Sequence, residues 1–140
     1  TYYSALGCDD ASMLLARAIQ LFMPGKPQVW YLDLFAGENN LAAVERAGSG
    51  GHKEINRTNL SADDLEAGLA RPVVQRQIDL LRFRNTHPAF GWDAELTASG
   101  EGSVLTLEWS REGHTARLEA DLATRAFRIT ADGTDLDSQG

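Results

Sequence analysis

The segment Gln28-Val29-Trp30-Tyr31-Leu32 constrains this chain most, because it reads as a buried strand and no other strand is legible near it. It lies between the turn Pro24-Gly25-Lys26-Pro27 and a long polar stretch that opens at Asp33. A buried strand must satisfy its backbone N–H and C=O groups from neighbours on both sides, and every other element legible before residue 90 is a helix. Residues 1–90 therefore read as the tail of a larger α/β domain.

The helices around that strand follow from spacing. Leu14, Leu15, Ala18, Ile19 and Phe22 repeat on one helical face, Asp9 or Asp10 caps the start, and Pro24-Gly25 stops it. Between Asp33 and Ala70 the pattern breaks. A short helix is expected over Leu41–Ala47 and another after Ser61, where Asp64 completes a capping box. Gly48-Ser49-Gly50-Gly51 lacks the Gly-Lys-Ser/Thr ending and preceding strand of a phosphate cradle, so it reads as a flexible hinge. Pro72 suits the first position of a further helix with Val74, Ile78, Leu81 and Asn85 on one face, closed by His87-Pro88.

Beyond Phe90 the period changes from helical to alternating. Leu105, Leu107 and Trp109 form one apolar series, Ala116, Leu118 and Ala120 a second, and Phe127 and Ile129 a third, with turns at Arg111-Glu112-Gly113 and Asp132-Gly133. Residues 91–140 thus read as a small antiparallel all-β module with one buried face.

Composition narrows the function classes. A net charge of −7, with Lys26 and Lys53 as the lysines, argues against a nucleic-acid partner, since phosphate backbones recruit clustered cations. One cysteine excludes an internal disulfide, and His52, His87 and His114 lack metal-ligand spacing, so no metal is expected and a reducing cytoplasm fits best. No apolar run is long enough to span a bilayer, and no membrane partner is expected. Cys8, beside a helix start, is a candidate nucleophile, but without a nearby histidine it reads rather as a small buried hydrophobe. Asp9/Asp10 and Asp63/Asp64 fall where helix capping accounts for them.

The loop after the strand is the place for chemistry, because active sites of parallel α/β folds gather at the carboxyl ends of strands. Arg57, flanked by Asn56 and His52, is the preferred binding residue: a guanidinium offers five donors in a fixed fork, suited to vicinal sugar hydroxyls or a carboxylate. Trp30 and Tyr31 are either core or sugar-stacking platforms.

Several stretches in order carry a family resemblance: Tyr2-Tyr3-Ser4-Ala5-Leu6-Gly7, Leu15-Ala16-Arg17-Ala18-Ile19-Gln20-Leu21-Phe22, Pro24-Gly25-Lys26-Pro27-Gln28-Val29, Ala36-Gly37-Glu38-Asn39, Ile55-Asn56-Arg57 and Arg71-Pro72-Val73-Val74. Together they resemble the C-terminal part of the sucrose phosphorylase group of glycoside hydrolase family thirteen, in the α-amylase superfamily. The resemblance covers residues 1–90, and 91–140 resemble only the general C-terminal β domain of that family. It implies the end of a (β/α)8 TIM barrel: Ala11–Met23 as the seventh helix, Gln28–Leu32 as the eighth strand, Asp33–Ala70 as its loop and Arg71–His87 as the eighth helix.

The activity implied is retaining phosphorolysis of an α-glucoside. A carboxylate displaces the aglycone and forms a β-glucosyl ester, and inorganic phosphate then attacks to release α-glucose 1-phosphate, with a second carboxyl group as acid and then base. The resemblance places none of these carboxylates in this segment, so the segment alone is expected to be inactive. It gives Arg57 the role of holding the glucosyl ring, with Asn56 shaping its loop. It implies no cofactor, a small α-glucoside and phosphate as ligands, the rest of the barrel as partner, and a possible homodimer. His52-Lys53-Glu54 before the Ile-Asn-Arg motif and Thr58-Asn59-Leu60 after it depart from the usual residues, as does Leu32-Asp33-Leu34-Phe35. These departures leave the acceptor open among fructose, fructose 6-phosphate, glycerate and glycerol. The alternatives are a hydrolase or transglucosylase on the same scaffold, or a free-standing carbohydrate-binding or interaction module.

Overall fold

The computed structural model describes residues 1–136, which form two compact units: 1–13 with 28–78, and 14–27 with the chain from Asp79 onward. The first contains α1 (Tyr2–Ala5), the start of α2 (Asp10–Phe22), α3 (Tyr31–Leu34), α4 (Leu41–Ala47), a 3₁₀ turn (Gly51–Asn56), α5 (Ala62–Leu69) and the start of α6 (Pro72–Thr86). Local chemistry sets most of these boundaries. The Ser12 N–H donates to Asp9 Oδ2 at 2.8 Å to cap α2, and the Ala43 N–H donates to Asn40 Oδ1 at 2.9 Å to cap α4. The capping box of α5 forms as expected, with the Asp64 N–H donating to Ser61 Oγ at 3.2 Å and the Ser61 N–H to Asp64 Oδ2 at 2.9 Å.

The expected strand at 28–32 does not form. Residues 28–30 join no sheet, and Tyr31–Leu34 close into a helical turn. Among the described residues no strand lies beside this segment, so its main chain finds local partners instead: the Leu34 N–H donates to the Trp30 carbonyl at 3.0 Å and the Gly37 N–H to the Leu32 carbonyl at 2.8 Å. Propensity gives way to the supply of ladder partners. The glycine-rich stretch is likewise an ordered turn, not a free hinge. Gly48 ends α4 at φ 65°, the Gly51 N–H donates to the Gly48 carbonyl at 2.9 Å, and a Cβ on buried Gly51 would stand 2.5 Å from the Val44 carbonyl oxygen.

Long-range bonds fasten the segment after α3. Arg71 Nη1 donates to the carbonyls of Phe35 and Ala36 at 2.9 and 3.2 Å, and the amide of fully buried Gln77 donates to the Leu34 carbonyl at 3.0 Å. Tyr3 donates its hydroxyl to Asp10 Oδ1 at 2.8 Å, and that carboxylate, with burial, raises the phenol pKa. The buried face of α6 is set by Val73, Val74, Gln77 and Leu80, whereas Asn85, expected on that face, is exposed.

The second unit contains a five-stranded antiparallel sheet in sequence order: β1 (Glu95–Glu101), β2 (Val104–Arg111), β3 (His114–Asp121), β4 (Phe127–Ala131) and β5 (Thr134–Asp135). The middle three carry the alternation read from sequence. The outer two escaped it, since β1 is exposed along almost its whole length and β5 has only two residues. Two-residue turns fix the registers Arg111↔His114 and Ala131↔Thr134, with φ of 51° and 85° at Glu112-Gly113 and of 48° and 79° at Asp132-Gly133. Positive φ at both central residues is the turn whose twist matches a hairpin.

The inner face of the sheet, with Leu107, Trp109, Ala116, Leu118, Ala120 and Ile129, packs on Leu15, Ala18, Leu21, Phe22, Leu80 and Ala89. Within it the Trp109 indole N–H donates to the Phe22 carbonyl at 2.8 Å. That carbonyl belongs to the last turn of α2, where no further helical N–H can reach it. Arg84 lies over the rings of Phe90 (4.3 Å) and Trp109 (5.4 Å) and donates to the Gly25 carbonyl at 3.1 Å; burial lowers its pKa.

Asp121 closes the loop after β3. It accepts from the Ser103 hydroxyl at 2.7 Å and from the Ala123 and Thr124 N–H groups at 3.0 and 3.4 Å, and these bonds, the Ser103 one foremost, hold its pKa at about 2 instead of 3.8. A depressed carboxylate pKa stabilises the fold above the unfolded value and loses that contribution as pH falls through the folded one. Protection of the 119–127 backbone against hydrogen exchange is therefore expected to decline between pH 4 and about pH 2 in the wild type and to flatten in Asp121→Asn. Identical pH profiles would contradict this account.

Candidate functional site

The segment that carries Arg57 is held from both sides by side chains of the stretch once expected to be a strand. Trp30 and Tyr31 place their rings 5.0 Å apart, tilted by 51°. The Trp30 indole N–H donates to the Asn56 carbonyl at 3.2 Å, and the Tyr31 hydroxyl donates to the Thr58 carbonyl at 2.7 Å. Asn40 adds a third tie, with its N–H on the Ile55 carbonyl at 2.8 Å and its side-chain amide on Thr58 Oγ1 at 3.4 Å. The backbone on either side of Arg57 is thus fixed, and the Arg57 N–H itself donates to the Glu54 carbonyl at 3.3 Å, closing the 3₁₀ turn.

The Arg57 guanidinium is exposed to solvent. Its ion-pair contact is Glu54 Oε1 at 3.7 Å, with both side chains about half exposed (57% and 44%), and an exposed pair of this kind is worth little. A mounted fork of donors can bind and orient a hydroxyl- or carboxylate-bearing ligand. Asn56 and His52 are exposed on the same turn, His52 near its start. Asn56 contributes through its main-chain carbonyl, the acceptor of Trp30.

Sequence reasoning missed the roles of Trp30, Tyr31 and Asn40. Trp30 is half exposed, which sets aside a purely core role, and its polar edge is engaged by protein. The signal available was two aromatic residues with polar handles ahead of a polar loop, a pairing that needs a partner whenever one end is covered. Cys8 is exposed, not a buried hydrophobe, and adopts φ 55°.

A second cluster joins Asp132 Oδ2 to His114 Nδ1 at 2.8 Å and His87 Nε2 at 3.6 Å, while Asp132 Oδ1 accepts the Thr115 N–H at 2.7 Å. His114 and the Thr115 N–H lower the Asp132 pKa, and burial lowers that of His87. Each of these bonds ties the β4–β5 turn to its neighbours. Among the described residues no group of three His, Cys, Asp or Glu side chains is arranged to hold a metal ion, and no helix is long and apolar enough to cross a membrane.

The five-stranded antiparallel sheet with its helices matches the C-terminal region of a sugar phosphorylase. The particular likeness is to sucrose and sucrose 6(F)-phosphate phosphorylases. The chain is 58% identical over 130 residues to a sucrose 6(F)-phosphate phosphorylase of Ilumatobacter coccineus, covering 93% of this chain and 25% of that protein. It is 41% identical over 133 residues to a sucrose phosphorylase of Agrobacterium vitis, covering 95% and 27%. The crystal structure of the sucrose 6F-phosphate phosphorylase from Thermoanaerobacter thermosaccharolyticum superposes with a TM-score of 0.88 at 39% identity, over 97% of this chain and 28% of that one. The chain spans about a quarter of the length of the curated relatives it matches. No protein-family model matches it.

Proposed function

We propose that this chain is the C-terminal part of a retaining α-glucoside phosphorylase of glycoside hydrolase family thirteen, with residues 1–90 ending its catalytic (β/α)8 barrel and 91–140 forming a C-terminal β domain. The observation that carries the reading is likeness along nearly the whole chain, at 58% and 41% identity, to proteins named as phosphorylases of sucrose 6(F)-phosphate and of sucrose. In this reading a glucosyl–oxygen bond of the donor breaks as an upstream carboxylate forms a glucosyl ester. A phosphate oxygen then displaces that carboxylate to give α-glucose 1-phosphate, and the second upstream carboxyl group moves the proton. Inorganic phosphate is a co-substrate and no cofactor takes part. The enzyme works in the cytoplasm, with homodimerisation as a further expectation.

The residues of this chain bind and position. Arg57 holds the glucosyl unit of the donor by its donor fork, with Asn56 and His52 on the same turn. Sucrose 6(F)-phosphate is the preferred donor, because one relative named for it is 58% identical, although another named for it and the sucrose phosphorylase of Agrobacterium vitis are both 41% identical. The test is release of α-glucose 1-phosphate by the full-length protein from sucrose 6(F)-phosphate, sucrose and glucosylglycerol, with and without phosphate. Phosphate-dependent release, fastest from sucrose 6(F)-phosphate, is expected. Glucose formed equally fast without phosphate would make the protein a hydrolase and overturn the proposal.

A further inference from the structure

We infer that Trp30 and Tyr31 are positioning residues for Arg57, acting through the main chain on either side of it. This rests on the reading of Arg57 as the residue that holds the glucosyl ring. The two aromatic side chains are consecutive, their rings are in contact, and their polar edges reach different carbonyls: Asn56 immediately before Arg57 and Thr58 immediately after it. Neither bond is needed for regular secondary structure, because the 3₁₀ turn ends at Asn56 and α5 begins at Ala62. Their effect is to fix the backbone from which the Arg57 side chain projects.

The physical need is plain. The guanidinium is more than half exposed and has only a weak partner in Glu54, so nothing local selects one direction for it. Loop backbone between two helices is otherwise free to vary, and a misplacement of an orienting group by about 1 Å can cost about a hundredfold in rate. Donating to the carbonyls before and after Arg57 removes that freedom without using any of the donors that meet a ligand.

The test uses the full-length protein with glucosyl transfer to phosphate as readout. Tyr31→Phe removes only the hydroxyl, and Trp30→Phe removes the indole N–H while keeping an aromatic ring. Each is expected to lower kcat/KM for the glucosyl donor about five- to tenfold, the loss of one hydrogen bond, with the KM for phosphate and the melting temperature unchanged. In an Arg57→Ala background the same substitutions are expected to change kcat/KM by less than about twofold, because what they position is gone. Wild-type kinetics in both single variants would overturn the inference, and so would a loss that persists undiminished beside Arg57→Ala. Near-normal turnover by Arg57→Ala alone would instead overturn the reading of Arg57, and the positioning role with it.

Discussion

Arg57→Ala in the full-length protein is expected to lower kcat/KM for glucosyl transfer by about a hundred- to a thousandfold. The size follows from the proposed role: a fork of charged donors on adjacent hydroxyls would make two hydrogen bonds, and each bond from a charged group is worth about 1.5–3 kcal/mol. Half exposure of the side chain puts two such bonds toward the lower end of that range, about 3–4 kcal/mol together, or roughly two to three powers of ten in rate. The loss should be specific to the ligand, because the side chain supports little else in the fold; its ion pair with Glu54 is long and exposed. The melting temperature is therefore expected to stay at the wild-type value. Arg57→Lys keeps the charge but not the fork, so it should recover only part of the loss. Steady-state kinetics at saturating phosphate decide the matter, and turnover within a few-fold of wild type would remove Arg57 from the donor site.

Trp109→Ala is expected to destabilise the second unit by about 3–5 kcal/mol, the range for deleting a large aromatic side chain from a packed core. Trp109 is 6% exposed, its ring meets Phe90 and the Arg84 guanidinium, and its N–H satisfies a carbonyl at the end of α2. Trp109→Phe separates the two contributions. It keeps an aromatic ring but leaves the Phe22 carbonyl unpaired, a penalty of about 1–3 kcal/mol. Hydrogen exchange of the β2 and β3 amides in the full-length protein reads both effects locally, with larger deprotection in Trp109→Ala than in Trp109→Phe. Equal deprotection in the two variants would mean that the hydrogen bond, not the packing, carries the contribution of Trp109.

Much of the fold was legible wherever the determining forces are short-range. The helix over 41–47, the Ser61/Asp64 capping box, the Asp9 cap and the turns at Glu112-Gly113 and Asp132-Gly133 depend on residues within a few positions of one another, and all formed where their sequence places them. The strand at 28–32 was the opposite case. Its apolar run Val29-Trp30-Tyr31-Leu32 favours a strand, but a strand is a pairing, and the described residues offer it no partner. Edge strands β1 and β5 were missed for a related reason: exposed pairing leaves no apolar alternation to read.

The sequence by itself determined the local elements and the buried face of the meander, because periodicity and capping chemistry are properties of neighbouring residues. Only the tertiary structure decided that Trp30 and Tyr31 brace the arginine turn from about 27 residues away, and that Phe22 and Trp109, 87 positions apart, share one core and one hydrogen bond. Such pairs leave no trace in spacing. Which carbonyl a buried indole or phenol satisfies is fixed by where the backbone passes in space, and that depends on the packing of the whole unit.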